Sequence, residues 1–188
     1  MDRSVFSRRA FALGALASST MTTACGNGVG STGGDTIDAR VDVTLEDMYR
    51  QCPSTRNLAD NANGMLVMPL VTEAGLWFGG AYGRGALRVG GVTVDYYSLI
   101  EASAGFFAGG QQYAHVLFFM TEPALTDFRK ASGWAAGGDL EYVFSDQGEG
   151  ARASTVTALS PVLAVIFNRA GLLAGATLQG NKYTRIIP

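Results

Sequence analysis

Between residues 36 and 52 the apolar positions recur at helical spacing. Val41, Leu45, Met48, Tyr49 and Cys52 share one face, and Asp42, Glu46, Asp47 and Arg50 fall largely on the other. The spacing predicts a first helix over Thr36–Cys52, stopped by Pro53. Ser54 can cap a second short helix that ends at Asn63-Gly64. The pattern then changes period. Met65–Leu70 is a continuous apolar run, as a buried strand requires, and Gly75–Val89 alternates with period two. Gly90-Gly91 is a hairpin turn; Val92–Ser98 pairs back, Leu99–Gln111 continues, and Tyr113–Met120 is the most apolar strand. Thr121-Glu122-Pro123 starts a helix that runs to about Ala131 and buries Leu125 and Phe128. Strands follow at Trp134–Ala136 and Leu140–Ser145, then a polar loop at Gln147–Arg152. A last hairpin covers Val162–Asn168 and Leu172–Gly180, and Tyr183–Ile187 closes the chain. The expected fold class is α+β: an N-terminal helix pair and one mid-chain helix against a strongly curved, mostly antiparallel, Gly-rich, barrel-like sheet.

One phrase recurs within these strands. Ala74-Gly75-Leu76-Trp77-Phe78-Gly79-Gly80 is echoed by Ala104-Gly105-Phe106-Phe107-Ala108-Gly109-Gly110 and by Ala170-Gly171-Leu172-Leu173-Ala174-Gly175-Ala176. In the first copy Gly75, Trp77, Gly79, Ala81, Gly83 and Gly85 share one face, while Leu76, Phe78 and Tyr82 share the other. Glycine inside a strand costs backbone entropy and packs nothing. Two explanations stand: another element or an acyl chain lies close to the bare face, or the glycines relieve tight curvature. The unequal spacing of the copies implies neighbouring strands of one sheet, not a solenoid.

The first residues carry a different signal. Ser7-Arg8-Arg9-Ala10-Phe11 has the paired arginines of a twin-arginine export signal, and Thr22-Thr23-Ala24-Cys25 resembles the end of a lipoprotein cleavage box. The expected organisation is an export signal at 1–24, a flexible tether at 25–35 acylated at Cys25, and one domain over 36–188. Ordinary cleavage near Ala17 is the alternative. Three of the 14 basic and one of the 16 acidic residues lie in 1–24, so the remainder carries a net charge of −4. That balance argues against general nucleic-acid binding. Any attraction to anionic lipid must then come from a local patch.

The chain carries few groups arranged for chemistry. His115, the one histidine, alternates with Tyr113, Leu117 and Phe119 and reads as a hydrogen-bonded core or rim residue, not a base. Ser103 lacks a nucleophile elbow because Glu101 stands where the first Gly belongs. One histidine and at most one free Cys cannot make a zinc site. Gly83-Arg84-Gly85 begins like a dinucleotide fingerprint but has Arg88 at its last Gly position. Asp139, Glu141 and Asp146 read as solvated edges and turns. No catalytic residue, metal or cofactor is assigned, and an enzyme is not expected. If Cys25 is acylated, Cys52 is unpaired; otherwise the two could bridge.

Gly64-Met65-Leu66-Val67-Met68-Pro69, followed by the run Ala74 to Gly85, resembles the SYLF domain, also called the Ysc84 actin-binding domain. The likeness continues through Tyr96-Tyr97-Ser98, Ala104-Gly105-Phe106, Leu117-Phe118-Phe119-Met120-Thr121 and Ala170-Gly171-Leu172-Leu173-Ala174-Gly175. It covers about residues 38–187. The resemblance implies a membrane-associated, phospholipid-binding module; some eukaryotic members also bind actin. The leader resembles the bacterial branch, which are envelope lipoproteins, so actin is not an expected partner. The expected function is a non-enzymatic phospholipid-binding module facing the periplasm, on the outer membrane of a two-membrane cell. The alternative is an envelope scaffold whose sheet binds another protein. Candidate headgroup contacts are Arg84, Arg88, Arg169, Lys182 and Arg185; candidate apolar contacts are Trp77, Phe106 and Phe107; the candidate anchor is Cys25.

Overall fold

The computed structural model describes residues 31–136, 140–144, 160–171, 178 and 180–188; side chains at 76–78, 103–108, 140–144 and 171 fall outside that description. The expected export signal, Cys25 and most of the tether therefore lie outside the described residues, as do Asp139, Asp146, the loop at 147–152 and residues 172–177. Helix α1 spans Gly33–Gln51 and α2 spans Thr55–Asn61. Strands β1 (Gly64–Val89) and β2 (Val92–Phe119) form one long hairpin. Helix α3 (Glu122–Lys130), β3 (Trp134–Ala135), β4 (Leu140–Phe144), β5 (Val162–Gly171) and β6 (Lys182–Ile186) follow.

The segments expected as separate strands between Met65 and Met120, Gly75–Val89 the long one among them, are joined into two strands of 26 and 28 residues. Gly90 and Gly91 make the turn with φ of 58° and 82°, a left-handed pair that side chains disfavour and a two-residue hairpin demands. β2 is the spine. β1 pairs with it along one edge, while its other edge takes β6 at Tyr96–Ile100 and β5 at Gln111–Phe119. β4 joins β5 in parallel, and all other pairings are antiparallel. The sheet curls into a half-barrel with the helices packed on it.

Curvature comes from the hairpin bending upon itself. The β1–β2 register slips between Met68 and Val71, between Leu76 and Phe78, and between Leu87 and Arg88. The middle slip is the widest: Leu76 pairs with Ala108 and Phe78 with Ala104, leaving one residue against three. On either side of this bend the two halves of β1 meet. A Cβ on Gly83 would lie 2.9 Å from the Leu70 carbonyl oxygen, and one on Gly85 would overlap the Val67 carbonyl. Both explanations offered for the glycines therefore hold together. The strand is sharply bent, and the element against its bare face is its own first half.

Both faces of the sheet are buried near the hairpin turn, which is why Met65–Leu70 and Tyr113–Met120 show no polar alternation. On the concave side Leu66, Met68, Leu99, Leu117, Phe119 and Tyr183 pack with α3. Phe128 is the plug, its ring 4.7 Å from those of Tyr97 and Phe119 and 5.5 Å from Trp134. Thr121 caps α3 by accepting the Ala124 N–H, and Leu125 and Phe128 are its buried residues, as its spacing predicts. On the convex side Val67, Ala86, Val116, Phe118, Val165 and Phe167 receive Ile37, Val41 and Met48 of α1.

Helix α1 starts earlier than expected, inside the Gly-rich run read as tether. Ser31 Oγ donates to the Pro188 carbonyl at 2.6 Å and accepts the Gly33 N–H at 3.2 Å, fastening this start to the end of the chain. Its buried face is Ile37, Val41, Thr44 and Met48, with Leu45 and Tyr49 partly covered and Cys52 at its C-terminus. Polar clamps hold both ends. Asp38 accepts from Thr93 Oγ1 at 2.7 Å and from Tyr96 Oη at 2.8 Å. Near the other end Asp47 and Gln51 bond Asn168, which takes φ of 56° where β5 slips against β2.

Candidate functional site

The helices cover only the half of the convex face nearest the hairpin turn. Farther along, toward the bend, Tyr82 of β1 pairs with Ile100 of β2, and Ile100 pairs in turn with Lys182 of β6. Directly paired residues share a face. Tyr82 is 49% exposed and Ile100 56%, and Lys182 is exposed beside them. Arg84 follows Tyr82 on that face and donates from Nε to its hydroxyl at 2.6 Å, the guanidinium lying 6.0 Å from the ring centre. Leu70, whose carbonyl abuts Gly83, is also exposed. The result is an aromatic–aliphatic row with a cation at each end.

Two of the five candidate cations, Arg84 and Lys182, thus fall on the same face at opposite ends of this row, the Lys182 stem running over Gly133. Arg88 does not join them. Its guanidinium bonds Asp42 at 2.7 Å, lies 3.8 Å from Asp38 and donates to the Gly91 carbonyl. Arg185 faces Asp95 at 3.4 Å and donates to the Arg129 carbonyl at 2.8 Å. Arg169 sits half-buried on β5, away from the β6 pairing. Trp77, Phe106 and Phe107 all fall within the widest slip of the ladder, so the backbone brings them to one bend; their side chains lie outside the description. Tyr82 and Ile100 were not among the candidates read from sequence. The alternation that sets Tyr82 opposite the glycines was the available signal, but nothing local tells that this face is left uncovered.

The three glycine phrases meet at the same bend. Ala74 and Gly75 of the first pair with Gly110 and Gly109 of the second, and the adjoining Gln112 and Gln111 pair with Ala170 and Gly171 of the third.

His115 is enclosed. Its Nε2 lies 2.9 Å from the Tyr183 hydroxyl, and burial pushes its pKa down to about 3, so the ring is neutral at neutral pH. It is the hydrogen-bonded core residue that its apolar setting predicts. Among the described residues no three His, Cys, Asp or Glu side chains converge as metal ligands, and no helix is long and apolar enough to cross a membrane.

Residues 100–185 match the family model Ysc84, described as Las17-binding protein actin regulator. This segment, a little under half of the chain, is similar to the Ysc84, or SYLF, domain. The Ysc84 match begins at Ile100, in the middle of the exposed row, and ends at Arg185 in β6, so it contains Lys182 and the second and third glycine phrases. No curated protein gives a significant match to the chain.

Proposed function

We propose that the chain is a non-enzymatic phospholipid-binding module that lays the bend of its hairpin against a bilayer, tethered there through acylated Cys25 on the periplasmic side of a bacterial envelope. The observation that carries this reading is the row Tyr82–Ile100–Lys182 with Arg84 beside it. A tyrosine with an apolar ring and a polar tip suits the level of lipid headgroups, an exposed isoleucine suits the acyl boundary, and two cations suit phosphate. Trp77, Phe106 and Phe107, carried at the bend, would add apolar contact. The chain is net acidic, so attraction to anionic lipid would act through this patch alone.

The test is vesicle flotation of the full chain carrying Cys25→Ser, which removes the anchor and isolates the sheet. Flotation with anionic vesicles, weakened by salt and by Arg84→Ala with Lys182→Ala, is the expected result. Absence of flotation with any vesicle overturns the reading in favour of a scaffold that uses this face for a protein, the kind of partner that the family description names.

A further inference from the structure

The concave face, apolar around α3, turns acidic toward the bend. Glu73 and Gln111 are directly paired across β1 and β2, and Gln111 Nε2 donates to Glu73 Oε2 at 2.6 Å. Glu101 belongs to the same face: it lies two residues after the fully buried Leu99 and pairs with Ala81 of the concave core. Burial raises the pKa of Glu101, and the Glu73 charge raises it further. Among the described residues neither carboxylate has an ion-pair partner.

A second, separate observation lies on the neighbouring strand. Asn181 is fully buried, and neither its Oδ1 nor its Nδ2 finds a hydrogen-bond partner. It stands one residue beyond the Ile100–Lys182 pair, on the inward side with Tyr183, which sets it across from Glu101. A buried amide with no partner is rare in a folded protein and calls for a bound group. Two half-buried carboxylates with no ion-pair partner among the described residues call for a positive charge.

We propose that Glu73, Glu101 and the amide oxygens of Gln111 and Asn181 form a site for a hard divalent cation of the calcium class. All four donors are oxygens. His115, four residues on from Gln111 in β2, has its Nε2 engaged by Tyr183 and its Nδ1 unpartnered; with one imidazole nitrogen at most beside four oxygens, the set suits an ion that takes carboxylates and amide carbonyls in flexible geometry. Gln111 directs its nitrogen to Glu73, which leaves its carbonyl oxygen for the cation. Glu101 and Gln111 flank the widest slip in the ladder, so the ion would bridge the two sides of the bend and fasten β6 to them. This site is on the opposite face from the lipid row and stands or falls independently of it.

The test uses the full chain carrying Cys25→Ser, freed of metal by chelator, at pH 7.5. Calcium chloride is titrated by calorimetry, and melting is followed with and without calcium. One calcium per chain and a higher melting temperature are expected, with magnesium binding more weakly. Glu101→Gln and Glu73→Gln, near-isosteric changes whose folding is checked by circular dichroism, each lower affinity by more than about tenfold, while Glu46→Gln on exposed α1 leaves it unchanged. No calcium heat and no melting shift overturns the proposal. So does calcium binding that survives Glu101→Gln. A melting temperature raised by Glu101→Gln with calcium inert also overturns it, because a proton then does what the cation was proposed to do.

Discussion

Gly85 lies against the carbonyl of Val67, eighteen residues earlier in the same strand, with no room for a Cβ between them. The contact closes the half-barrel. Gly85→Ala should therefore destabilise the fold by about 1–3 kcal/mol through overpacking of backbone that cannot retreat. Gly83→Val should act in the same direction, since its Cβ would meet both Leu70 and Val71. Thermal melts check this, and unchanged melting temperatures in both variants would show that the two halves of β1 do not touch.

His115 makes stability acid-sensitive. Its folded pKa of about 3 lies below the ordinary histidine value of 6.5, because its enclosed site cannot solvate a charge. The unfolded chain therefore binds more protons between those values, and stability present above about pH 6.5 falls as pH drops through that window. The slope from this one group approaches about 1.4 kcal/mol per pH unit. Urea titrations from pH 7 to 4 should show a shallower acid decline in His115→Gln than in the parent.

Asp38 gathers Thr93, Tyr96 and the edge of Arg88 onto the first turns of α1. Asp38→Ala removes both acceptors and should cost about 1–3 kcal/mol, mostly by leaving half-buried donors unpaired. Hydrogen exchange should report the loss first in α1, ahead of β2. Uniform loosening of the whole chain would mean that the clamp is not local.

At the convex row, charge and apolar contact should separate. Arg84→Ala with Lys182→Ala should lower partitioning onto anionic vesicles by one to two orders of magnitude at low salt, at about 1 kcal/mol for each cation near the surface. Tyr82→Ser with Ile100→Ser should instead remove the part of the binding that salt leaves intact. Flotation across a salt series distinguishes the two. An equal response of both double variants to salt would mean that the row does not insert.

Anchoring is tested apart from the fold. Cys25→Ser should abolish incorporation of labelled palmitate and release the protein from the membrane fraction. Label that persists in the variant would remove Cys25 from the reading.

Much of the local structure was legible in the chain. The period of 3.6 in α1, the Thr121 cap, the Gly90-Gly91 turn and the continuous apolar runs of doubly buried strands each depend on neighbours within a few residues, and each stands in the structure. So did the core role of His115, because an apolar alternation around a lone polar ring leaves little else. Candidate cations could be counted but not sorted. Arg84 and Arg88 look alike four residues apart, yet the register slip after Leu87 and the arrival of Asp42 and Asp38 commit Arg88 to α1, while Arg84 bonds Tyr82 on its own strand. The acidic concave cluster was invisible for the same reason. Glu73, Glu101, Gln111 and Asn181 are scattered over more than a hundred residues, and only strand pairing and the fold-back of β1 bring them onto one face. Periodicity and turn chemistry are local, so the sequence alone determined where helix gives way to strand and most of the buried positions, while the joining of short strands into two long ones and the early start of α1 were not legible in it. Which edges meet, where the ladder slips and which half of a face the helices leave bare depend on contacts distant along the chain, and the tertiary structure alone decided them.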